Sequence, residues 1–412
     1  MLQRRKGKSD VRRESRPGAG QAAKNGFEVV ALLRSRPPRT AMSAGLLQRL
    51  LTSGQAEDVF PPERSVASSR NESPPEPLPR IVTVDAGDEA TARELLEGLS
   101  EDPQVETVYV APPRKLYASA RRTTHVKNTG TGPIDQWGLE AIQWHLAPRP
   151  DASDIVVGVV DSGIDDQHPD LRAAVQDYTD ETAEGPNDDT GHGSHVSGII
   201  AARGVPWAGI VGVSNARIRA VKGLGRVYKA RNYYRALQSA LSGSRVVNLS
   251  LGGPEDPTET LLIERAIRRN VVVVAAAGNE SEYGNPDTYP GMIPGVIAVG
   301  AVDRSLSRAP FSNTGSHVRL CAPGVAIWST SPLRKSTLMK TTTHALCDGT
   351  SMAAPFVTAA ISLMLARNPQ LRPGEVNRHL RTRPCRGQAA RSDEFGEGLL
   401  DLASTLAAVP RP

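Results

Sequence analysis

Seven consecutive apolar residues, Val271 to Ala277, run without a polar break into Gly278-Asn279. A strand with one wet face would alternate, so this one is buried on both faces, as in a parallel sheet covered by helices. Strands are also read at Ile155–Val160, Arg217–Val221, Arg245–Leu251 and Val296–Val302. Helices are read at His192–Ala202, Tyr228–Ser242, Thr258–Asn270, Ser351–Arg367 and Gly374–Arg381. This alternation predicts an α/β fold, a doubly wound and mostly parallel sheet with helices on both faces. Functional groups are expected at the carboxyl ends of its strands, where Asp161 and Asn279 fall. Hydrophobic residues make up 39% of the 412 and aromatics only 4%, so the core has to be built from Val, Ala, Leu and Ile.

Three further segments carry chemistry. Val157 to Val160 is apolar and ends in Asp161-Ser162-Gly163. Gly191-His192-Gly193-Ser194-His195 places an imidazole between two glycines ahead of an apolar helix. Gly349-Thr350-Ser351-Met352-Ala353-Ala354-Pro355 sets a hydroxyl at a helix start, where unpaired N–H groups favour negative charge. The Ser351 hydroxyl is a poor nucleophile until a base takes its proton. His192 suits that role at neutral pH, and Asp161 would hold its tautomer. A general base contributes about 100- to 10,000-fold in rate. His195, three residues on along the helix, is read as structural.

The acid, the imidazole and the hydroxyl come in the order Asp161, His192, Ser351, which is the subtilisin order. From about Gln136 to about Ala407 the chain resembles the subtilisin-like serine peptidases, the subtilases. The resemblance implies catalytic roles for these three and an oxyanion-binding amide on Asn279, with the Ser351 N–H as second donor. It implies that Ser250, Leu251 and Gly252 pair with an extended substrate. A specificity pocket would lie between that strand and Ala277-Gly278, with Thr288 at its floor and Glu280 at its rim. Many subtilases bind calcium, but Ala202 to Gly209 has no side-chain oxygen ligand, and calcium wants several. Asp170 matches a ligand position without evident partners, and Asn187-Asp188-Asp189 reads as a solvated turn. No cofactor is therefore expected, and calcium stays possible only without its usual loop ligands. No Cys/His spacing suggests zinc.

The region before the catalytic domain has a separate character. Residues 1–26 hold eight Lys or Arg against two acids and read as a disordered basic tail. The rest of the chain carries 41 basic and 42 acidic residues, so no nucleic-acid partner is expected. Phe27–Leu33, Arg80–Val84 and Val105–Val110 read as strands, Ala41–Leu51 and Glu89–Leu99 as helices, and Ser53–Pro79 as a loop. Together they form a small α+β domain over 27–118 that resembles a subtilase inhibitory propeptide, most clearly from Ala90 to Pro113. Tyr109 to Tyr117 is the candidate strand to block the cleft. Arg114 to Pro133 reads as exposed, with the linker drawn over 119–135 and the catalytic domain over 136–412. Lys335 to His344, polar and Thr-rich, is a lid, a second maturation site or an idle loop.

No apolar stretch of the roughly 7–15 residues needed for a secretory signal follows Met1, and no run suits a membrane span. A cytoplasmic setting is the expectation, unless a non-standard export route or another start operates. The three cysteines, Cys321, Cys347 and Cys385, are expected as free thiols, with a Cys347–Cys385 pair as the alternative. The expected function is a self-processing serine endopeptidase acting on extended polypeptides, with its own propeptide as intramolecular inhibitor. The alternatives are a latent peptide-binding module and a peptide ligase or cyclase using the same acyl-enzyme.

Overall fold

The computed structural model describes residues 27–35, 45–60, 78–120, 134–204, 209–339 and 343–412. The expected basic tail, residues 41–44 of the first expected helix, most of the expected linker and residues 205–208 lie outside them. A nine-stranded sheet forms the centre. Across it run Thr382–Arg383, Leu399–Leu400, Val318–Pro323, Ile297–Val302, Val272–Ala276, Val246–Leu249, Val156–Asp161, Arg217–Lys222 and Val175–Asp180. Every neighbouring pair is parallel except the edge pair made by Thr382–Arg383.

Each inner strand divides its side chains between two cores. Val157, Val159, Val246, Val272 and Val274 pack with the helices His192–Ala201 and Thr350–Arg367. Val160, Val247, Leu249, Val273 and Ala275 pack with the helices Ala230–Gly243 and Pro257–Arg268. Period-2 alternation with both faces apolar is what the unbroken valine run demanded. Thr350–Arg367 is apolar and long enough to cross a membrane, yet 89% of it is buried in the first of these cores. The strand order reverses at Val156–Asp161. Val175–Asp180 and Arg217–Lys222 lie on one side of it, and Val246–Leu249 opens the other. Such a switch point leaves a crevice beyond the carboxyl ends of the strands.

The amino-terminal unit is an antiparallel sheet ordered Ala56–Asp58, Ile81–Asp85, Glu28–Leu33, Val105–Val110. Helices Leu46–Thr52 and Glu89–Ser100 cover one face. The other face joins the second core through Val30 and Ile81. This unit also caps two helices of the main domain. Glu28 Oε2 accepts from the Ala230 N–H at 2.6 Å, and the Tyr109 hydroxyl accepts from the Thr258 N–H at 3.1 Å in the first turn of Pro257–Arg268. Acceptors at helix starts satisfy orphan N–H groups and favour the dipole.

Several expectations shift. Ser53–Pro79 contains the strand Ala56–Asp58. Val175–Asp180 is a polar edge strand without an apolar run to announce it. The expected strand Arg245–Leu251 divides into Val246–Leu249 and Leu251–Gly252. Lys335 to His344 leads into a hairpin, Thr343–Asp348 against Ile327–Ser331, with Met339 buried against the Cys347 thiol. All three cysteines are buried free thiols. Cys321 and Cys385 share one small core cluster, and Cys347 lies in another.

Candidate active site

Asp161 ends its strand at the switch point and faces the first residue of the helix His192–Ala201. His192 Nδ1 lies 2.8 Å from Asp161 Oδ1 and 2.9 Å from Oδ2, and both side chains are buried. Asp161 Oδ1 also accepts from the Ser162 N–H at 2.7 Å. A buried carboxylate against Nδ1 keeps a proton on that nitrogen and leaves Nε2 as the basic one. Nε2 is buried with no hydrogen-bond partner among the described residues.

Asp188 was expected in a solvated turn and is buried instead. Its Oδ1 accepts from the Gly191 N–H at 2.8 Å, and its Oδ2 accepts from the Ser194 N–H at 2.8 Å and the Ser194 hydroxyl at 2.7 Å. It caps the helix that presents His192. Asp188→Ala is expected to lower stability by about 1–3 kcal/mol, read as a lower denaturant midpoint in a Ser351→Ala background. A change below about 0.5 kcal/mol would show that the cap contributes nothing. His195 is buried on the same helix, with Nε2 3.1 Å from Ala345 O, and burial pushes its pKa down to about 3. It is a neutral structural residue, as its position on the helix suggested.

Ser351 stands in the first turn of Thr350–Arg367 and is tied to the Ser250 segment. Its hydroxyl donates to Ser250 O at 2.8 Å, and the Ser250 hydroxyl donates to Ser351 O at 2.9 Å. Behind them Asn248 Nδ2 donates to the Ser250 hydroxyl at 2.8 Å, and Thr358 donates to Asn248 Oδ1 at 2.8 Å. The hydroxyl proton is therefore held by a backbone carbonyl rather than by His192. The expected row is formed between Asp161 and His192 and is open between His192 and Ser351.

What occupies the cleft is the chain itself. Lys115–Leu116 pairs antiparallel with Leu251–Gly252, Lys115 opposite Gly252 and Leu116 opposite Leu251. The Tyr117 N–H donates to the Ser351 hydroxyl at 3.0 Å, and the Ser351 N–H donates to Tyr117 O at 3.3 Å. A Cβ on Gly349 (φ +150°) would fall 1.9 Å from Tyr117 O, so glycine is what lets this carbonyl approach. The chain then continues past the nucleophile, where Ser119–Ala120 pairs antiparallel with Asp348 and Cys347. Arg114, expected in an exposed linker, is fully buried on Glu259. Its burial could not be read locally, because its partner is 145 positions away.

The remaining expected residues gather around Tyr117. Its buried ring lies against Gly252, where a Cβ would meet a ring carbon at 2.6 Å. Its hydroxyl lies toward Thr288, and burial raises the phenol pKa. Thr288 is itself fixed by Asn313 Nδ2 at 3.0 Å. Ala277 is buried, and the Gly278 N–H donates to the Thr350 hydroxyl at 3.2 Å. Asn279 Oδ1 accepts from the Thr350 N–H at 2.9 Å and the Thr350 hydroxyl at 2.8 Å, which leaves its NH₂ as the group able to donate elsewhere. Glu280 pairs with Lys115, and its Oε2 also accepts from the Asn279 N–H at 2.9 Å and from Asn313 Nδ2 at 3.5 Å.

Asp170 has partners that the sequence did not reveal. Its Oδ2 accepts from the Ile210 N–H at 2.8 Å and lies 2.9 Å from His344 Nε2. Burial opposes ionisation, yet these contacts hold its carboxyl below the usual range. His168, Asp170 and His344 place ligand-type atoms within 4.8 Å of one another. However, His168 already meets Thr343 O at 2.7 Å and the Asp170 N–H at 3.1 Å. A carboxylate committed to an N–H and an imidazole, on a stretch poor in oxygen ligands, does not fit calcium.

Residues 152–398 match the subtilase family, Peptidase_S8. Subtilisin J of Geobacillus stearothermophilus is 37% identical over 259 residues, 61% of this chain and 65% of the relative. Subtilisin DY of Bacillus licheniformis is 35% identical over 260 residues, covering 61% of this chain and 90% of the relative. In fold the chain is similar to fervidolysin from Fervidobacterium pennivorans, described as a keratinolytic enzyme related to subtilisin. That likeness has a TM-score of 0.72 at 23% identity and covers 97% of this chain and 63% of that one. The chain thus spans a little under two thirds of subtilisin J and of fervidolysin. With the family match running over more than half of its length, the chain belongs to the subtilase family.

Proposed function

We propose that this protein is a serine endopeptidase that works through an acyl-enzyme and first cuts its own chain between Tyr117 and Ala118. One observation carries the reading: the Tyr117 carbonyl is hydrogen-bonded to the Ser351 N–H while residues 115–116 lie as a strand along Leu251–Gly252. An extended segment held by backbone bonds next to a nucleophile is the pose of a substrate.

Rotation about the Ser351 Cα–Cβ bond would move the hydroxyl from Ser250 O to the partnerless His192 Nε2. His192 takes the proton as Ser351 Oγ bonds to the Tyr117 carbonyl carbon. The oxyanion is met by the Ser351 N–H and by the Asn279 NH₂, whose orientation the two Thr350 bonds fix. The C–N bond to Ala118 then breaks, and His192 returns the proton to the leaving amine. Water, deprotonated by His192, adds to the ester carbonyl; the bond to Ser351 Oγ breaks, His192 returns the proton to Oγ, and a carboxylate is left on Tyr117. The amino-terminal unit would remain on the cleft as a product inhibitor until it is lost.

The full chain and its Ser351→Ala variant, expressed side by side, test this. The parent is expected to shorten to a fragment whose first residue is Ala118, and the variant to stay whole. Equal shortening of both would sink self-processing. A second reading, a peptide-docking groove whose occupant never leaves, is favoured by the hydroxyl's bond to Ser250 O. A fluorophosphonate separates the two, because a stoichiometric adduct on Ser351 rules out the inert groove.

A further inference from the structure

The strand that lies in the cleft fixes where each of its residues falls. Tyr117 is at the nucleophile, and Arg114 is three residues before it. The Arg114 side chain has no exposed surface. Its Nε donates to Glu259 Oε1 at 3.0 Å and its Nη2 to Glu259 Oε2 at 2.7 Å, a two-pronged pairing of guanidinium with carboxylate. Nη1 donates to Pro254 O at 2.8 Å. The cation lies 5.9 Å from the Tyr233 ring centre, and the Tyr233 hydroxyl donates to Glu259 Oε1. A Cβ on Gly253 would come within 2.8 Å of Nη1, so glycine at that position leaves the space the guanidinium fills.

The acids of this pocket belong to the main domain and differ in role. Asp256 caps the helix Pro257–Arg268, accepting from the Thr258 and Glu259 N–H groups, and it is bonded by Tyr234. Its carboxylate is provided for whether or not Arg114 is present. Glu259, three positions on in the first turn, turns its carboxylate into the pocket. Among the described residues, Arg114 is the only cation paired with either acid. Burial raises the Glu259 carboxyl above its ordinary value, Arg114 opposes that rise, and Asp256 adds to it. Once the amino-terminal unit leaves, Glu259 is an acid without its cation at the base of an emptied pocket, where an incoming guanidinium can take the place of Arg114.

Resting on the endopeptidase reading above, we infer that Glu259 makes this pocket a specificity subsite. It selects polypeptides with arginine three residues before the residue whose carbonyl is attacked. Lysine offers one point charge where the carboxylate meets a planar fork, so it is the weaker ligand. An apolar side chain leaves the carboxylate unpaired, and an acidic one adds a like charge.

The test uses the matured protein and four substrates, Xaa-Lys-Leu-Tyr with a chromogenic amide leaving group, where Xaa is Arg, Lys, Met or Glu. The Arg substrate is expected to exceed the Met substrate by about 100- to 1000-fold in kcat/KM, with Lys between them and Glu lowest. In Glu259→Gln, which keeps the shape and removes the charge, the Arg-to-Met ratio is expected to fall to within about tenfold. Equal hydrolysis of Arg and Met substrates by the parent overturns the selectivity alone, leaving Arg114–Glu259 as a docking contact of this chain and the endopeptidase reading intact. Hydrolysis of none of the four overturns both. A folded Glu259→Gln variant that keeps the full preference overturns the assignment to Glu259. If that variant does not fold, the parent's ratios still decide the selectivity.

Discussion

Replacing His192 by alanine is expected to slow cleavage of the Tyr117–Ala118 bond about a million-fold, a size taken from subtilisin, a relative of this chain, rather than derived from this cleft. The reason lies in where the Ser351 proton goes. In the resting geometry it is held by Ser250 O, a backbone carbonyl that cannot carry it away. Only His192 Nε2, buried and unpartnered among the described residues, can accept it. Without the imidazole the hydroxyl remains neutral, however well Tyr117 is held. Self-cleavage of the full chain is first order in protein, so the comparison needs no added substrate. If the parent matures in minutes, the variant would take roughly a million minutes, about two years. An intact band after a week, in a variant that remains folded by circular dichroism, is the expected outcome. Maturation of His192→Ala within a hundredfold of the parent rate would show that another base serves Ser351, and the proposed mechanism would fall.

The parts of this site that could be read from sequence are those whose role depends on local chain geometry. Asp161 and Asn279 end apolar runs, and Ser351 opens one, so strand and helix ends place them whatever lies between. Thr288 was reachable only through resemblance, and the structure puts it beside the Tyr117 hydroxyl. Arg114 was misread because a basic residue near a Thr- and Gly-rich run looks solvated, and only the distant Glu259 makes its burial tolerable. Asp188 was misread for a related reason. Gly191 and Ser194 lie just ahead, but the Ser162 hydroxyl that also donates to it is 26 positions back, and whether an Asn-Asp-Asp run turns inward depends on the folded position of the helix it caps. The edge strand Val175–Asp180 carries few apolar residues and so sends no period-2 signal. The open link between His192 and Ser351 concerns a hydroxyl rotor, which the neighbouring backbone decides and residue order does not.

Asp161→Asn is expected to be the second most damaging change, lowering the rate of self-cleavage by about 10⁴-fold, the loss known for the same substitution in a triad on an unrelated fold. The side chains have the same shape, and an amide oxygen can still accept from the Ser162 N–H, so folding should survive. What changes is the proton map. The carboxylate sits 2.8–2.9 Å from Nδ1 with both oxygens and can only accept, which fixes the proton on Nδ1. With the amide oxygen kept by Ser162, the amide NH₂ faces Nδ1, making that nitrogen the acceptor and moving the proton to Nε2. The base then offers Ser351 an N–H where it needs a lone pair. The loss is smaller than for His192→Ala because the imidazole remains and a minor tautomer can still act. Two readouts identify the cause. The ring-nitrogen shifts of His192, seen by NMR in a Ser351→Ala background, should exchange protonated and bare positions between parent and variant. Cleavage of the full chain should slow with the thermal midpoint nearly unchanged. A loss below tenfold, or a full loss without any exchange of tautomer, would mean that Asp161 does not act through the imidazole.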